Sequence, residues 1–453
     1  MRVGKFFLAL VIQLLYNFFA FHNLCPDFKH ILIILKNNLL RNGFMGYLSL
    51  NLLAVAQKNE YNGVMRNFLS ESARRLEPSS FLNYFGLADG DKQLISLGVG
   101  EPDFKTPKKV RRAALKLIKR GNTQYTGCRG LLELRQLVSR YLLERFTVDY
   151  PAENTVITIG ASEAVDLALR AICDAGDEIL LPEPYYVSYA PAVALAGGVP
   201  VPVRCDRENG FIPTAENIQK AITEKTKAII LSYPNNPTGA VVSREGLEEI
   251  ANVVRQNDLL VISDEIYAEL NYTGKHYSIA ALPQMKERTI YIGGFSKSFA
   301  MTGWRVGYIC CPDYIDKAVV EIHTHTIICA PRMGQAAAIE ALKDGFAGGF
   351  AFIEEMRRDY AERGKTLAEG LNALGLTCTQ PQGAFYVFAN VESTGLDGDG
   401  FAERLIKEAK VAVVPGSAFG EAGRNYVRCS YAASMQNIKA ALERLADFLK
   451  GIS

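Results

Sequence analysis

Residues 289–308 read Thr-Ile-Tyr-Ile-Gly-Gly-Phe-Ser-Lys-Ser-Phe-Ala-Met-Thr-Gly-Trp-Arg-Val-Gly-Tyr. A short apolar strand over 289–292 stops at two glycines, Lys297 follows after one aromatic and one hydroxyl residue, and Arg305 lies eight positions further on. An amine in an apolar setting gives up its proton readily and attacks a carbonyl as the free base, so Lys297 is suited to forming a Schiff base. Ser296 and Arg305 add a hydroxyl and a planar, permanently charged fork, which suit a phosphate dianion. A phosphorylated aldehyde is the partner this predicts. Taken alone, the same residues also fit a solvated surface, and the rest of the chain has to decide.

Three further apolar runs end in the same way. Thr155-Val-Ile-Thr-Ile turns at Gly160 into a helix whose first N–H groups, from Ala161 and Ser162, are free to hold an anion with help from the helix dipole. Ala228-Ile-Ile-Leu runs into Ser-Tyr-Pro-Asn-Asn-Pro-Thr-Gly, and Leu259-Leu-Val-Ile-Ser into Asp264-Glu-Ile-Tyr267. An Asp in that position is also an ordinary helix cap. Ligands of open α/β sheets gather at the carboxyl ends of strands, so Gly160 to Ser162, Asn236, Asp264 and Lys297 together describe one site.

Residues 296–308 resemble the cofactor-lysine signature of class I pyridoxal-phosphate aminotransferases, and the resemblance continues from about Asn67 to the C-terminus. It implies an α/β fold of type I: a large domain with a mostly parallel, seven-stranded type of sheet between helices, and a small α+β domain from N- and C-terminal segments. The corresponding divisions are 65–110 for the N-terminal part of the small domain, 111–330 for the large domain, and 331–453 for a connecting helix and the rest. Lys297 is implied to carry pyridoxal 5'-phosphate as a Schiff base and to shuttle the substrate proton. Asp264 pairs with the ring nitrogen, Tyr267 and Asn236 with the phenolic oxygen, and Tyr186 lies on the ring face, although Tyr185 or Tyr189 could take its place. Ala161, Ser162, Ser296 and Arg305 are implied for the phosphate, joined by Tyr125 from a neighbouring subunit, which predicts a homodimer. Gly100, Asn236 and Arg428 are implied at the substrate, Arg428 as the clamp on its carboxylate. The implied reaction moves an amino group from an L-amino acid (aspartate, aromatic or broad range) to a 2-oxo acid such as 2-oxoglutarate. The signature has Gly294 where some relatives place a phosphate-binding hydroxyl, and Ser162 where some aspartate-specific relatives carry a basic residue.

With 453 residues, 49% of them hydrophobic, the chain is long enough for two or three domains. A net charge of +2, from 50 basic and 48 acidic residues, offers no field for nucleic acid. Nine scattered cysteines without a C-x-x-C pair read as reduced thiols of a cytoplasmic protein, and the five histidines show no metal-ligand spacing. Residues 1–64 differ from the rest: an apolar stretch over 6–21 is shorter than a spanning helix prefers. The expectation is that this leader is not part of the fold, which begins near Met65; a membrane anchor from 6–21 is the alternative. Competing functions are a pyridoxal-phosphate C–S lyase or decarboxylase, a non-catalytic cofactor-binding protein, and a membrane-tethered interaction protein.

Overall fold

The apolar runs do form strands, and their order explains where the polar residues that follow them come to lie. The computed structural model describes residues 68–74, 76 and 93–452; the leader over 1–64, the stretch over 6–21 and the start at Met65 lie outside the described residues. After β1 (Ile95–Ser96) come β2 (Thr155–Thr158), β3 (Glu178–Glu183), β4 (Val199–Arg204), β5 (Thr226–Leu231), β6 (Leu260–Asp264), β7 (Thr289–Gly294) and β8 (Gly307–Cys310). The last seven form one sheet in the order β2-β8-β7-β6-β5-β3-β4. Pairing is parallel from β4 to β7, and β8 runs antiparallel to both β7 and β2.

This sheet is covered on both faces, as parallel sheets must be. Helices α1 (Lys108–Lys119), α2 (Leu132–Phe146), α3 (Gly160–Ile172), α4 (Tyr189–Leu195), α5 (Ala215–Ala221) and α6 (Arg244–Gln256) are interleaved with the strands. Side chains alternate between the faces with the period of two that a strand imposes. Ile179, Leu181, Ile230 and Ile262 pack with Ala164, Leu167 and Ala168 of α3, whereas Leu180, Ile229, Leu231 and Val261 pack with Leu247, Ile250 and Val254 of α6. Each such Leu or Ile removed from water contributes about 1.5–3 kcal/mol. The turn into α6 is closed by Ser243, whose Oγ accepts from the Gly246 N–H at 3.1 Å.

One boundary differs from the sequence reading. β7 does not stop at 292 but continues through Gly293 and Gly294, which pair with Tyr308 and Gly307. A side chain at Gly294 would meet Ile266 Cδ1 at 2.9 Å and the Gly307 backbone at 3.3 Å. After β8 come α7 (Asp313–Ile327) and α8 (Arg332–Gly348), separated at Ala330-Pro331, and then α9 (Ala351–Ala373). Pro331 has no N–H and restricts the residue before it, so the helix restarts after it.

Towards the C-terminus lie β9 (Tyr386–Asn390), α10 (Gly398–Ala409), β10 (Val411–Ala412), β11 (Val414–Pro415), β12 (Tyr426–Ser430) and α11 (Met435–Lys450). The antiparallel order is β11-β12-β9, and β1 pairs in parallel with β10, which fastens residues 95–96 to this part of the chain. Leu97, Tyr360, Phe385, Phe401, Tyr431 and Leu445 share its core with Tyr267 and Leu270 from the loop after β6. Among the described residues no helix is long and apolar enough to cross a membrane.

Candidate active site

Sheet direction alone brings the expected residues to one edge. β2, β5, β6 and β7 all end there, and each ends just before or at a residue singled out by the sequence: Gly160, Asn236, Asp264 and Lys297. β8 runs the other way and therefore begins at that edge, which delivers Arg305, two residues before Gly307, to the same place. Asp264 and Ile292 are register partners on β6 and β7, so the carboxylate and the lysine that follows β7 belong to adjacent strand ends.

The Lys297 amine donates to the Gly100 carbonyl at 2.6 Å and stands 5.8 Å from the Tyr267 ring centroid. Burial pulls its pKa down to about 8, and the nearby Arg428 and Arg305 charges act in the same direction against Glu101 and Asp264. The free base thus becomes the main form above about pH 8, well below the range of an ordinary lysine. Asp264 is 6% exposed, and burial lifts its carboxyl to about 6; hydrogen bonds from the Tyr189 O–H and the Ile266 N–H limit the rise. Tyr189 Oη donates to Asp264 Oδ2 at 2.7 Å. The sequence offered Tyr189 only as a substitute for Tyr186. Instead the two do different work: Tyr186 is half-buried with its ring edge-on to Tyr189, 5.5 Å between centroids, and Tyr189 is the buried partner of Asp264.

Anion-binding geometry is concentrated where α3 begins. Gly160 has φ +74°, and a Cβ there would meet Arg305 Nη2 at 2.5 Å, so a glycine is required for both conformation and close approach. The Arg305 guanidinium also reaches the Ile159 carbonyl at 3.4 Å and the Thr302 carbonyl at 3.1 Å. Ala161 is half-buried, Ser162 exposed, and Ser296 buried close by in sequence to Lys297. Glu163, which the sequence reading passed over, accepts the Ile159 N–H and lies 2.9 Å from Nδ1 of the fully buried His323 on α7. Glu163 thereby satisfies the N–H of the residue that precedes α3, and is readable as an acidic residue in the first turn of that helix. Beside Arg305 opens a cavity of about 610 Å³, bordered by Glu101, Thr302, Trp304 and Arg305.

The loop after β5 separates its two asparagines. Asn235 builds the turn, accepting from the Thr238 N–H and hydroxyl at 3.1 and 2.8 Å, while Asn236 Oδ1 accepts from Arg428 Nη1 at 3.0 Å. Arg428 on β12 is 1% exposed, not a solvated edge residue, and its Nη2 donates to the Gly98 carbonyl at 2.6 Å. Tyr267 and Tyr386 hydroxyls are 2.8 Å apart. The sequence reading gave Tyr386 no role. Gly100 adjoins this group, since a Cβ there would meet Tyr386 Oη at 2.6 Å. Tyr125 is the exception: its side chain is 76% exposed, and its carbonyl accepts from Arg332 Nη1 at 3.3 Å.

Chemically, the edge combines a partly deprotonated amine, a buried carboxylate, aromatic and amide groups, and a helix start paired with an arginine. This set suits a planar aldehyde that carries a basic nitrogen at one end and a phosphate at the other. The glycine cradle at Gly160 beneath Arg305 is the observation that fits the phosphate.

Residues 92–445 match the family described as Aminotransferase class I and II. The chain is 47% identical to YugH of Bacillus subtilis, itself named only as a candidate aminotransferase, over 85% of this chain and 99% of that protein. It is 42% identical to aromatic-amino-acid aminotransferase 2 of Thermococcus litoralis over 84% of this chain and 98% of the relative. The solved structure of the Thermus thermophilus aspartate aminotransferase with maleate superposes with a TM-score of 0.81 at 39% identity, covering 85% of this chain and all of the other.

Proposed function

The chain belongs to the aminotransferase class I and II family, and on that premise we propose which of its residues perform the transfer and on what. The enzyme is a pyridoxal-phosphate-dependent aminotransferase of fold type I. When bound, the cofactor supplies an electron sink that lets the α-carbon of an amino acid release its proton.

With the cofactor bound, Lys297 would hold it covalently through Nζ, and the same Nζ, when free, would take and return the proton of the substrate α-carbon. Asp264 keeps the ring nitrogen protonated, and Tyr189 holds that carboxylate in place. Tyr267 and Asn236 donate to the phenolic oxygen, and Tyr186 covers one ring face. Ala161, Ser162, Ser296 and Arg305 take the phosphate, with Tyr125 reaching in from a second subunit. Arg428 clamps the substrate carboxylate by two parallel hydrogen bonds, beside the backbone of Gly100 and the amide of Asn236.

The donors we propose are aspartate, aromatic amino acids or a broad range, with 2-oxoglutarate or a similar 2-oxo acid as acceptor. Relatives named for aromatic amino acids and for aspartate both support this breadth. The lyase and decarboxylase readings gain nothing from relatives that are named aminotransferases. We further propose a cytoplasmic homodimer, and a division of the fold at about residues 110 and 330, with the 65–110 and 331–453 segments making the small domain.

The observation that carries this reading is the meeting of a lysine amine and a buried carboxylate at adjacent strand ends of one sheet edge. Lys297→Ala is expected to lose the lasting absorbance of bound cofactor and to slow transfer by at least about a thousandfold. Full turnover in that variant rejects the assignment. For Arg428→Ala, the expectation is retained cofactor with the donor KM raised about a hundredfold, as for loss of one partner of a buried charge pair. A panel of amino acids against 2-oxoglutarate identifies the donor.

A further inference from the structure

Tyr386 touches two parts of the site at once. Its side chain is 1% exposed, its ring centroid lies 4.4 Å from the Arg428 guanidinium carbon, and its hydroxyl is 2.8 Å from that of Tyr267. The two tyrosine rings meet edge to face, 5.9 Å apart at 79°, and Phe385 packs against Tyr386 at 4.8 Å. No side chain at Gly100 intrudes on that hydroxyl, and the Gly100 carbonyl in turn receives the Lys297 amine.

We propose that Tyr386 is a positioning residue joining the Arg428 clamp to Tyr267: its hydroxyl donates to the Tyr267 oxygen, its ring supports the guanidinium. This rests on the roles given above to Arg428 and Tyr267 and adds a residue to them. Either hydroxyl of the pair can donate. The donor is assigned to Tyr386 because the Arg428 guanidinium lies over its ring, 4.4 Å from the centroid, and a cation there stabilises the electron-rich form of the phenol and makes its O–H the better donor. Burial raises the Tyr386 hydroxyl, and Arg428 is the main influence opposing that rise. With Tyr386 donating, the Tyr267 proton is left pointing at the cofactor's phenolic oxygen, and the second hydrogen bond is strengthened by the first. A substrate carboxylate that neutralises Arg428 weakens the field at Tyr386, so binding at the clamp is felt at the far hydroxyl. Arg428 on β12, Lys297 after β7 and Tyr186 after β3 are the charged or titratable groups facing the pair.

The test uses holoenzymes of the wild type, Tyr386→Phe, Tyr386→Leu, Tyr267→Phe and the double Phe variant. Each is read by the pH midpoint of the bound cofactor's absorbance and by KM and kcat. Tyr386→Phe is expected to keep its cofactor, to raise the midpoint by about half a pH unit, a threefold change in the proton equilibrium, and to alter the donor KM less than about twofold. Tyr386→Leu also removes the ring and is expected to raise the donor KM about tenfold. Tyr267→Phe moves the midpoint in the same direction and further, and adding Tyr386→Phe to it changes nothing more. An unmoved midpoint in Tyr386→Phe, loss of its cofactor, or a shift that persists in the Tyr267→Phe background overturns the proposal. A wild type without cofactor absorbance or amino transfer overturns the reading of the site itself.

Discussion

Lys297 and Asp264 are both displaced from their ordinary pKa values by burial, and in opposite senses for their charged forms' function. The amine, lowered to about 8, captures an aldehyde only as free base. Cofactor capture by the cofactor-free protein is therefore expected to accelerate as pH rises from 6 and to level off above about 8, measured as the rate of absorbance change on mixing with pyridoxal phosphate. A rate that is flat with pH contradicts it. The carboxyl of Asp264 rises from 3.8 to about 6, which amounts to roughly 3 kcal/mol at most. Because the folded value lies above the unfolded one, its contribution is intact below pH 4 and is lost as pH rises through about 6. Asp264→Asn is expected to raise the melting temperature of the cofactor-free protein at pH 8 but not at pH 4, while slowing transfer by about a hundredfold or more. Equal melting temperatures at pH 8 count against the burial argument. These two residues were legible in the sequence because each closes an apolar strand. Tyr189 and Tyr386 were not, since their partners lie 75 and 119 residues away and a tyrosine in an apolar run reads first as packing.

At the scale of elements, strand direction carried most of the site. Four strand ends were readable as such, and the sheet order makes them one edge. The reversal of β8 was not readable, because an antiparallel neighbour leaves no mark in the apolar pattern of so short a strand; yet that reversal is what returns Arg305 to the site. Its contact with Gly160 gives a sharp expectation. Gly160→Ala forces a side-chain residue to φ +74°, at a cost of about 1–2 kcal/mol, and drives Cβ into the guanidinium. Cofactor affinity is expected to fall about tenfold or more by absorbance titration, with the Lys297 reaction still possible at saturating cofactor. Ser162→Ala, on an exposed residue of the same helix turn, is expected to cost much less. If the two variants bind the cofactor equally, the cradle is not where the phosphate sits.

For the whole molecule, Tyr125 is the residue that a single chain leaves unexplained. It is 76% exposed, and Leu115 and Ile118 of α1 are exposed as well, at 56% and 52%. A second copy that places its Tyr125 at the phosphate of the first accounts for the tyrosine, and a closed twofold arrangement repeats the exchange in both directions. Complementation separates this from a tyrosine acting within its own chain. Tyr125→Ala and Lys297→Ala proteins are each expected to transfer slowly. In a mixed dimer, the subunit that keeps Lys297 receives the intact Tyr125 of its companion, so one of the two sites is of wild-type composition. Random re-association of equal amounts makes half of the dimers mixed, and activity is expected to recover to about a quarter of the wild-type level. Were Tyr125 to serve its own subunit, the mixed dimer would contain one site lacking Lys297 and one lacking Tyr125, and mixing would restore nothing beyond the mean of the two variants.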